Sequence, residues 1–294
     1  MNIRDLEYFN TLVEVKNFSL VAQKFNVSQP TITMAIRRLE KEYQTKFFIR
    51  NQAHKELIVT EAGKQFYEHS KTVISELELA SKDIEHAKQH KILFGLPPII
   101  GTYYFPLATP QLLRDDLLSQ LTIISKGSNI CRKMLLNGDL DIAVLGSIQK
   151  IEDKELITEN FAQSPLRIIV GDQHPWYQRK KVTLAELKNQ KFIAQNESYI
   201  HNEALKQMGH LGHFRPEIIV QTDNINILKK LVSENLGIGL LTEIAVTKAD
   251  NQLHTIEVDA EDFPVFNMAI AYRRNHQLTE PQEELLEILK NSFE

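Results

Sequence analysis

The sequence contains one cysteine, Cys131, among its 294 residues. A single cysteine excludes an internal disulfide and any cysteine-rich metal site, which agrees with a reducing compartment. No apolar run approaches the roughly 20 residues that span a bilayer, and the first five residues lack the apolar core of a signal peptide. We therefore expect a soluble, cytoplasmic protein that has no membrane partner.

The sequence also lacks the short motifs that mark common enzymes. It has no Gly-x-Ser-x-Gly elbow, no phosphate-binding Gly-Lys-Ser/Thr loop and no dinucleotide fingerprint. His201, His210 and His213 are close in the chain, but no carboxylate or cysteine follows at metal-ligand spacing, so we interpret them as surface histidines. Asp139 and Asp141 fit turn residues better than an acid/base pair. We predict no catalytic residue, no metal and no cofactor.

The net charge of −4 conceals an asymmetry along the chain. Residues 24–55 include seven basic and two acidic residues, a net charge of +5, so the rest of the chain carries −9. A basic segment joined to an acidic body is expected when only one part of a protein meets phosphate groups.

Within the basic segment, residues 18–39 have the pattern of a helix-turn-helix that follows a first amphipathic helix. Ser19 is a candidate N-cap of a short helix that runs through Phe25, and Ser28 is a candidate N-cap of the next helix. The two residues 26–27 form the turn between the two helices.

The last of these helices has two different sides. Its apolar side consists of Ile32, Ala35, Ile36, Leu39 and Tyr43. Its polar side carries Pro30, Thr33, Met34, Arg37, Arg38 and Lys41, with Ser28, Gln29 and Thr31 at the N-terminus. A solvated face is the alternative, but the cations lack compensating acids, so we predict that this side enters a DNA major groove. Gln29, Thr31 and Thr33 would contact base edges, and Arg37 and Arg38 would reach phosphate or guanine.

A β-hairpin is predicted next, from two β-favouring runs at residues 47–50 and 57–59. Its tip carries Arg50, His54 and Lys55, which would contact the DNA backbone or minor groove. An ordinary polar hairpin tip explains any one of these residues equally well.

A long helix is predicted from Thr60 to about Gln89. Its apolar side advances by three and four residues, close to a heptad seam, through Ala62, Phe66, His69, Val73, Leu77, Ala80, Ile84 and Ala87. Because no helical partner lies nearby in the sequence, we favour a dimer contact over an intramolecular core. Two copies would hold two recognition helices about one DNA turn, or a multiple of it, apart and would bind an inverted repeat.

The remaining chain alternates between predicted strands and helices, and its length permits two or three domains in all. The strands are expected at residues 92–96, 121–125, 141–145, 166–170, 192–194, 217–221, 237–241 and 265–272. The helices are expected at residues 101–113, 129–137, 201–208, 224–235 and 279–293. The first four apolar runs are typical of buried parallel strands, so we predict two α/β lobes with a ligand cleft near helix N-termini.

In this order, several short motifs together resemble the LysR-type transcriptional regulators over essentially the whole chain. They are Ala22 with VSQPTIT at 27–33 and IRRLE at 36–40, FFIR at 47–50, TEAG at 60–63, LNGDLD at 136–141, His174-Pro175, and Leu231-Val232 with LGIG at 236–239. The resemblance implies a winged helix-turn-helix at 1–60, a dimerising linker helix at 61–90 and an effector domain at 91–294. It further implies a two-lobed domain of periplasmic-binding-protein type, with lobe I at 91–163 plus 265–294 and lobe II at 164–264.

The same resemblance implies partners and an effector site. The partners are double-stranded promoter DNA, RNA polymerase, a small organic acid and further copies of the chain in a homodimer or homotetramer. The implied effector residues are Pro97, Pro98, Ile99, Thr102, Ser128, Asn129, Gln195, Asn196, Tyr199 and Asn224. Ser128 could donate to a carboxylate or could be a plain N-cap, and with two prolines in the first loop, anion capture there rests on Thr102 or on residues elsewhere.

The run GLPPIIGTYYFP is similar to regulators of the malolactic fermentation group, which implies a small dicarboxylate such as malate. Two other classes stay open, a cytoplasmic enzyme with a borrowed DNA-binding head and a solute-binding α/β protein with a helical N-terminal region. The missing catalytic motifs disfavour the enzyme, and the basic segment disfavours the solute-binding protein.

Overall fold

The computed structural model describes residues 1–50, 56–89 and 91–293, and for Arg50 only the backbone. The chain forms two compact units, residues 1–84 and residues 85–294, which we call the head and the body. The boundary between the two units falls inside the long helix, so the predicted domain limits at residues 60 and 90 stay predictions.

The head contains a three-helix core and a hairpin. Its elements are α1 Ile3–Val15, α2 Phe18–Lys24, α3 Gln29–Glu42, β1 Phe48–Arg50, β2 Leu57–Val59 and the larger part of α4 Glu61–Gln89. The strands β1 and β2 pair antiparallel, as predicted.

Caps define the starts of the head helices. Ser28 caps α3 as predicted, because its hydroxyl accepts the N–H of Thr31. The predicted cap of α2 is wrong: the side chain of Asn17 accepts the N–H groups of Ser19 and Leu20. Ser19 already lies inside the helix, where its own N–H needs a partner. At the turn, Asn26 adopts a φ of 52°, a left-handed conformation that asparagine tolerates well.

The core of the head forms around Phe9, which is fully buried. Its ring centroid lies 5.2 Å from that of Phe47, 5.5 Å from that of Phe48 and 5.0 Å from that of Phe66. Burial of one such side chain contributes about 1.5–3 kcal/mol, so this cluster ties the hairpin and the start of α4 to α1. Tyr43, predicted on the apolar side of α3, follows the last helical residue and is half exposed.

The predicted seam of α4 is exposed over most of its length. Val73, Leu77 and Ile84 keep 47%, 40% and 57% of their surface exposed. At its start the prediction is wrong, because Phe66 packs inside the head with its ring stacked 4.7 Å from that of Phe47. The exposed part of the seam therefore begins after the first turns of the helix.

The body contains strands and helices in alternation. The strands are β3 Ile92–Gly95, β4 Leu121–Ile124, β5 Ile142–Ser147, β6 Leu156–Gly171, β7 Lys181–Thr183, β8 Lys191–Gln195, β9 Glu217–Thr222, β10 Gly239–Thr242, β11 Leu253–Asp259 and β12 Val265–Arg273. The helices are α5 Pro98–Tyr103, α6 Phe105–Arg114, α7 Ser128–Leu136, α8 Leu184–Leu187, α9 Ile200–Leu211, α10 Ile225–Ser233 and α11 Glu280–Phe293. Two 3₁₀ turns occupy Leu118–Gln120 and Glu243–Ala245.

The long strand β6 joins the two lobes. Along the main sheet the strand order is β4-β3-β5-β12-β6-β11-β7, and β10 also pairs with β6. Residues 156–165 of β6 pair with β12, whereas residues 166–171 pair with β10 and β11. A second sheet, β8-β9, is bridged from Phe192 to Ile238, the residue directly before β10. This arrangement confirms the predicted winged helix-turn-helix head and two-lobed α/β body.

One strand direction was predicted wrongly. Residues 166–170 pair antiparallel with β10 and β11, although β3 is parallel to β4 and β5 as expected. An apolar run that is buried on both faces looks the same in either direction. The strands β7 and β11 were not predicted. The strand β7 has only three residues, and β11 mixes polar and apolar residues without a regular pattern along its whole length. In the part of the chain that the structure describes, no helix combines the length and apolarity that crossing a membrane requires.

Candidate functional sites

The first candidate site is the outer side of α3. Its exposed residues are Ser28, Gln29, Pro30, Thr31, Met34, Arg37, Arg38 and Lys41, with Thr33 half-buried among them. The buried residues of the same helix are Ile32, Ala35, Ile36, Leu39 and Glu40. The helix therefore has the rotation that the 3.6-residue period predicts.

Two buried acids of the head bind cations of this region. Asp5 accepts hydrogen bonds from Nε and Nη2 of Arg38 at 3.0 and 2.5 Å. Glu40 accepts a hydrogen bond from Nζ of Lys46 at 2.7 Å. The forked contact holds the Arg38 side chain in one direction. Among the described residues no ion-pair partner of Arg37 or Lys41 is found, so these are the cations that α3 presents to a ligand.

The first turn of α3 presents both hydrogen-bond donors and acceptors. Oε1 of Gln29 accepts the hydroxyl of Ser19 at 3.2 Å, which leaves the amide NH₂ of Gln29 able to donate. The hydroxyl of Thr33 donates to the carbonyl of Gln29 at 3.1 Å, so its oxygen can only accept from a ligand. Such a mixture suits the edges of bases, which carry both kinds of group.

The hairpin base is anchored by a residue that sequence reasoning missed. Oε1 of Glu40 accepts the backbone N–H groups of Phe47 and Phe48 at 3.0 and 3.4 Å. An acid four residues after the inward-facing Ile36 was the available signal. Of the predicted tip contacts, His54 and Lys55 lie outside the described residues, and of Arg50 only the backbone is described.

The second candidate site is a cavity of about 480 Å³ in the body, which we call the outer cavity. Five predicted effector residues line it, namely Pro98, Ile99, Thr102, Tyr199 and Asn224. Its other lining residues are Asp223, Ile225, Asn226, Lys229, Ile244, Ala245 and Thr247. The walls therefore come from α5, the starts of α9 and α10, and the segment 244–247.

A much smaller cavity of about 20 Å³, the inner pocket, shares Pro98, Ile99 and Tyr199 with the outer cavity. The rest of its lining is Pro97, Ile100, Gly127, Ser128, Ile200, His201 and Phe266. A volume of this size holds roughly one water-sized group, so it could admit only one end of a larger ligand.

Ser128 is the first residue of α7 and lines the inner pocket. The plain N-cap interpretation is wrong, because Gly127 holds the N-cap position. Oγ of Ser128 accepts the N–H of Gly146 at 2.8 Å, so the hydroxyl hydrogen stays available to a ligand. Within the described chain the N–H groups of Ser128 and Asn129 have no acceptor, which leaves the first turn of α7 able to donate to an anion.

His201 is a buried titratable side chain of the inner pocket. Its prediction as a surface histidine is wrong, because it is 4% exposed and its ring stacks on that of Phe266 with centroids 5.2 Å apart. Its Nε2 atom has no hydrogen-bond partner among the described residues. Burial lowers the pKa of His201 to about 4, so the imidazole is neutral at pH 7.

Both units match models of one protein family. Residues 3–64 match the bacterial regulatory helix-turn-helix protein of the lysR family, and residues 86–294 match the LysR substrate binding domain. The chain belongs to the LysR family. It is 34% identical over 292 residues to the malolactic fermentation system transcriptional activator of Lactococcus lactis, which covers 99% of this chain and 98% of that relative.

Two solved structures illustrate the shared LysR fold. HinK, a LysR family transcriptional regulator from Pseudomonas aeruginosa, gives a TM-score of 0.56 at 19% identity and covers 99% of this chain and 98% of its own. The CcmR regulatory domain of Synechocystis, in complex with 2-PG, gives a TM-score of 0.62 at 15% identity and covers 69% and 97%.

Membership of the LysR family decides between the classes left open by the sequence. Its regulators bind DNA and small-molecule effectors and work as oligomers, and the matched relatives regulate transcription instead of catalysing reactions. The predicted class of transcriptional regulator is thus confirmed. Among the described residues, no group of three or more histidine, cysteine, aspartate or glutamate side chains could hold a metal ion.

Three implied effector residues line neither cavity of this LysR body. They are Asn129, Gln195 and Asn196. Gln195 is buried, and its carbonyl accepts the amide of Asn202 at 2.8 Å, which positions the start of α9. The N–H of Asn196 donates to the carbonyl of Thr222 at 3.1 Å and connects the ends of β8 and β9.

Anion capture by Thr102 does not fit its hydrogen bonding. The Thr102 hydroxyl donates to the carbonyl of Pro98 at 2.8 Å. Because its one hydrogen is already used inside α5, the side chain can offer only its oxygen to a ligand. The alternative, that anions are captured elsewhere, is the one that the inner pocket supports.

Sequence reasoning also missed an ion pair beside the outer cavity. Nζ of Lys229 donates to Oδ2 of Asp250 at 2.8 Å, and the same carboxylate accepts the N–H and hydroxyl of Thr247 at 2.8 and 3.1 Å. Burial alone would raise the pKa of Asp250, but the hydrogen bonds from Lys229 and Thr247 hold it below its usual value. No local pattern links residues 229 and 250, so no sequence signal was available.

Proposed function

We propose that this protein binds promoter DNA with the outer side of α3 and is switched by a small organic acid held in the inner pocket and outer cavity. One observation carries the DNA-binding half. On the capped and exposed α3, Arg37 and Lys41 lack acidic partners in the described chain, while Arg38 and Lys46 are bound to buried acids. Uncompensated cations on an exposed helix supply the phosphate attraction that DNA binding needs.

The residues of α3 would divide the work. Gln29, Thr31 and Thr33 contact base edges, and Arg37 and Lys41 contact phosphate or guanine. Arg38, directed by Asp5, reaches the backbone beside them. Three further residues complete the surface, with Ser28 capping the helix and Pro30 and Met34 offering apolar contact to thymine methyl groups. At the wing, the proposed contacts are Arg50, His54 and Lys55.

The exposed seam of α4 supports self-association. Val73, Leu77 and Ile84 are apolar and exposed in the single chain, and a second copy of the same helix would bury them. A two-fold dimer carries two copies of α3, so its DNA site is an inverted repeat. The complex would act on RNA polymerase at a promoter, in the cytoplasm.

A second apolar surface supports a homotetramer over a simple homodimer. The strand β9, at the edge of the smaller sheet, exposes Ile218, Ile219 and Val220, and β4, at one edge of the main sheet, exposes Ile123. Unpaired edges with apolar side chains favour association with another chain.

The effector half of the proposal depends on the inner pocket. Its wall offers the N–H group and the hydroxyl of Ser128, and Nε2 of the buried His201 has no partner in the described chain. Among the residues that the structure describes, no acidic side chain lines it. These donors suit a carboxylate, and the rest of the acid would extend into the outer cavity.

The DNA-binding half is tested by selecting an operator from a random duplex library with the full-length protein, followed by anisotropy titrations over a range of salt. We expect Arg37→Ala to weaken operator binding roughly tenfold or more and to reduce the salt slope by about 1, because one phosphate contact is lost. The matched variant Lys188→Ala removes an exposed cation of the body and should bind like the wild type.

Unchanged operator affinity of Arg37→Ala would show that another side of the head meets DNA. A library from which no sequence is enriched would refute specific DNA binding itself.

A further inference from the structure

We propose that the effector is a carboxylic acid that also bears an ammonium group, and that Asp223 binds this ammonium in the outer cavity. This inference rests on the proposed function, because it assigns the chemistry of the other end of the acid.

The charge of the outer cavity is the first reason. Its one lining cation, Lys229, is paired with Asp250 at 2.8 Å, so the two charges cancel. Asp223 is exposed and has no hydrogen bond or ion pair with any residue that the structure describes. Tyr199 lines the same cavity, and its pKa is raised by burial and then by the negative charge of Asp223. The outer cavity therefore holds one uncompensated negative charge.

The threonine hydroxyls of the outer cavity are the second reason. Thr102 donates its hydrogen to the carbonyl of Pro98, and Thr247 donates its hydrogen to Asp250. Each hydroxyl can therefore only accept from a ligand. Together with Asp223 they form a set of acceptors, which matches the three N–H donors of an ammonium group.

The N-terminus of α10 lines the outer cavity, but it does not offset the preference for a cation. The side chain of Asn224 accepts the N–H groups of Asn226 and Ile227 at 2.9 and 3.4 Å. The first turn of α10 is thus already capped, unlike that of α7 in the inner pocket. The remaining donors do not reverse this preference. The positive charge of Lys229 is balanced by Asp250, and the hydroxyl of Tyr199 and the amides of Asn224 and Asn226 are uncharged.

The two cavities therefore differ in what they attract. The inner pocket presents donors and no acid, whereas the outer cavity presents acceptors and the free carboxylate of Asp223. Since they share Pro98, Ile99 and Tyr199, one ligand can occupy both. An amino acid fits this polarity with its carboxylate inward. A dicarboxylate such as malate would place its second carboxylate beside Asp223, where like charges repel.

The test is calorimetric titration of the full-length protein with two matched sets of probes. One set is butanoate, 4-aminobutanoate and pentanedioate, and the other is propanoate, 2-aminopropanoate and methylpropanedioate. We expect the amino acid of at least one set to bind about tenfold or more tightly than its dicarboxylate, because a charge-assisted contact replaces a repulsion. Asp223→Asn should reduce this preference to within about twofold, whereas Asp172→Asn, which removes an exposed acid that lines neither cavity, should retain it.

Charge reversal gives a second variant. In Asp223→Lys the dicarboxylates should bind more tightly than the amino acids. The inference fails if dicarboxylates bind the wild type as tightly as amino acids, if Asp223→Asn keeps the preference, or if none of the six probes binds. Operator selection is independent of these titrations. If the predicted ligand preference is absent, the DNA-binding half of the proposed function still stands. If the operator selection fails, the ligand preference can still be measured.

Discussion

Replacement of His201 by leucine should make the body less sensitive to acid. Burial keeps the folded-state pKa of His201 at about 4, below the ordinary value of 6.5. Between these two pH values the unfolded chain binds a proton at this residue and the folded chain does not. Protons therefore favour the unfolded state, and the stability of the folded state falls as the pH decreases from 6.5 toward 4.

The size of the effect follows from the two pKa values. For one group with pKa 6.5 unfolded and about 4 folded, the cost at pH 5 is about 2 kcal/mol, against about 0.2 kcal/mol at pH 7. The wild type should thus lose about 2 kcal/mol more than His201→Leu between pH 7 and pH 5. Carboxylates with lowered pKa values, such as Asp250, act equally in both proteins and cancel in this difference.

Urea unfolding at pH 7, 6 and 5 measures the effect. The single tryptophan, Trp176, packs against the core of the body, so its fluorescence reports on this unit in the full chain. His201→Gln, which keeps a polar side chain, should show the same reduced pH dependence, and the exposed His210→Gln should behave like the wild type. Parallel pH dependences for the wild type and His201→Leu would refute a buried, neutral imidazole.

Two further variants test the proposed assembly and the inner pocket. Leu77→Glu places a charge in the exposed seam of α4 and should shift the mass measured by light scattering toward that of the monomer. Glu78→Ala, which lies outside the seam, should leave the mass unchanged. An unchanged mass for Leu77→Glu would place the interface elsewhere. Ser128→Ala removes one hydroxyl donor and should weaken carboxylate binding about tenfold without altering DNA affinity in the absence of ligand. Equal carboxylate affinities of Ser128→Ala and the wild type would show that Ser128 is not part of the site.

Local periodicity explains what could be predicted about the head. The apolar spacing of Ile32, Ile36 and Leu39 sets the rotation of α3, because a helix of 3.6 residues per turn places these positions on one side. The wing strands follow from β-favouring runs separated by a polar stretch. In both cases the deciding interactions join residues that are close in sequence.

Contacts between distant residues explain what could not be predicted. Asp141 was interpreted as a turn residue, but it is fully buried. Its carboxylate accepts the N–H of Leu93 at 2.8 Å and forms a second hydrogen bond with Nδ1 of His86 at 3.1 Å. Its partners lie 48 and 55 residues away, and no local pattern marks them. The first ten residues of β6 were not predicted as a strand for a related reason. They are half polar and gain their partners from β12, far along the chain.

The charge on each candidate site shows why residue type alone is a poor guide to a ligand. The basic segment carries +5 by sequence, yet Asp5 and Glu40 bind Arg38 and Lys46 inside the head, so the charge available to DNA on α3 reduces to Arg37 and Lys41.

In the outer cavity, too, an ion pair cancels one charge, but the charge that remains is negative. A lysine in its wall would suggest an anion, but Asp250 cancels that lysine. Asp223 is left without a partner in the described chain. Recognition depends on which charges remain uncompensated after folding, and that property exists only once the chain has brought its distant acids and cations together.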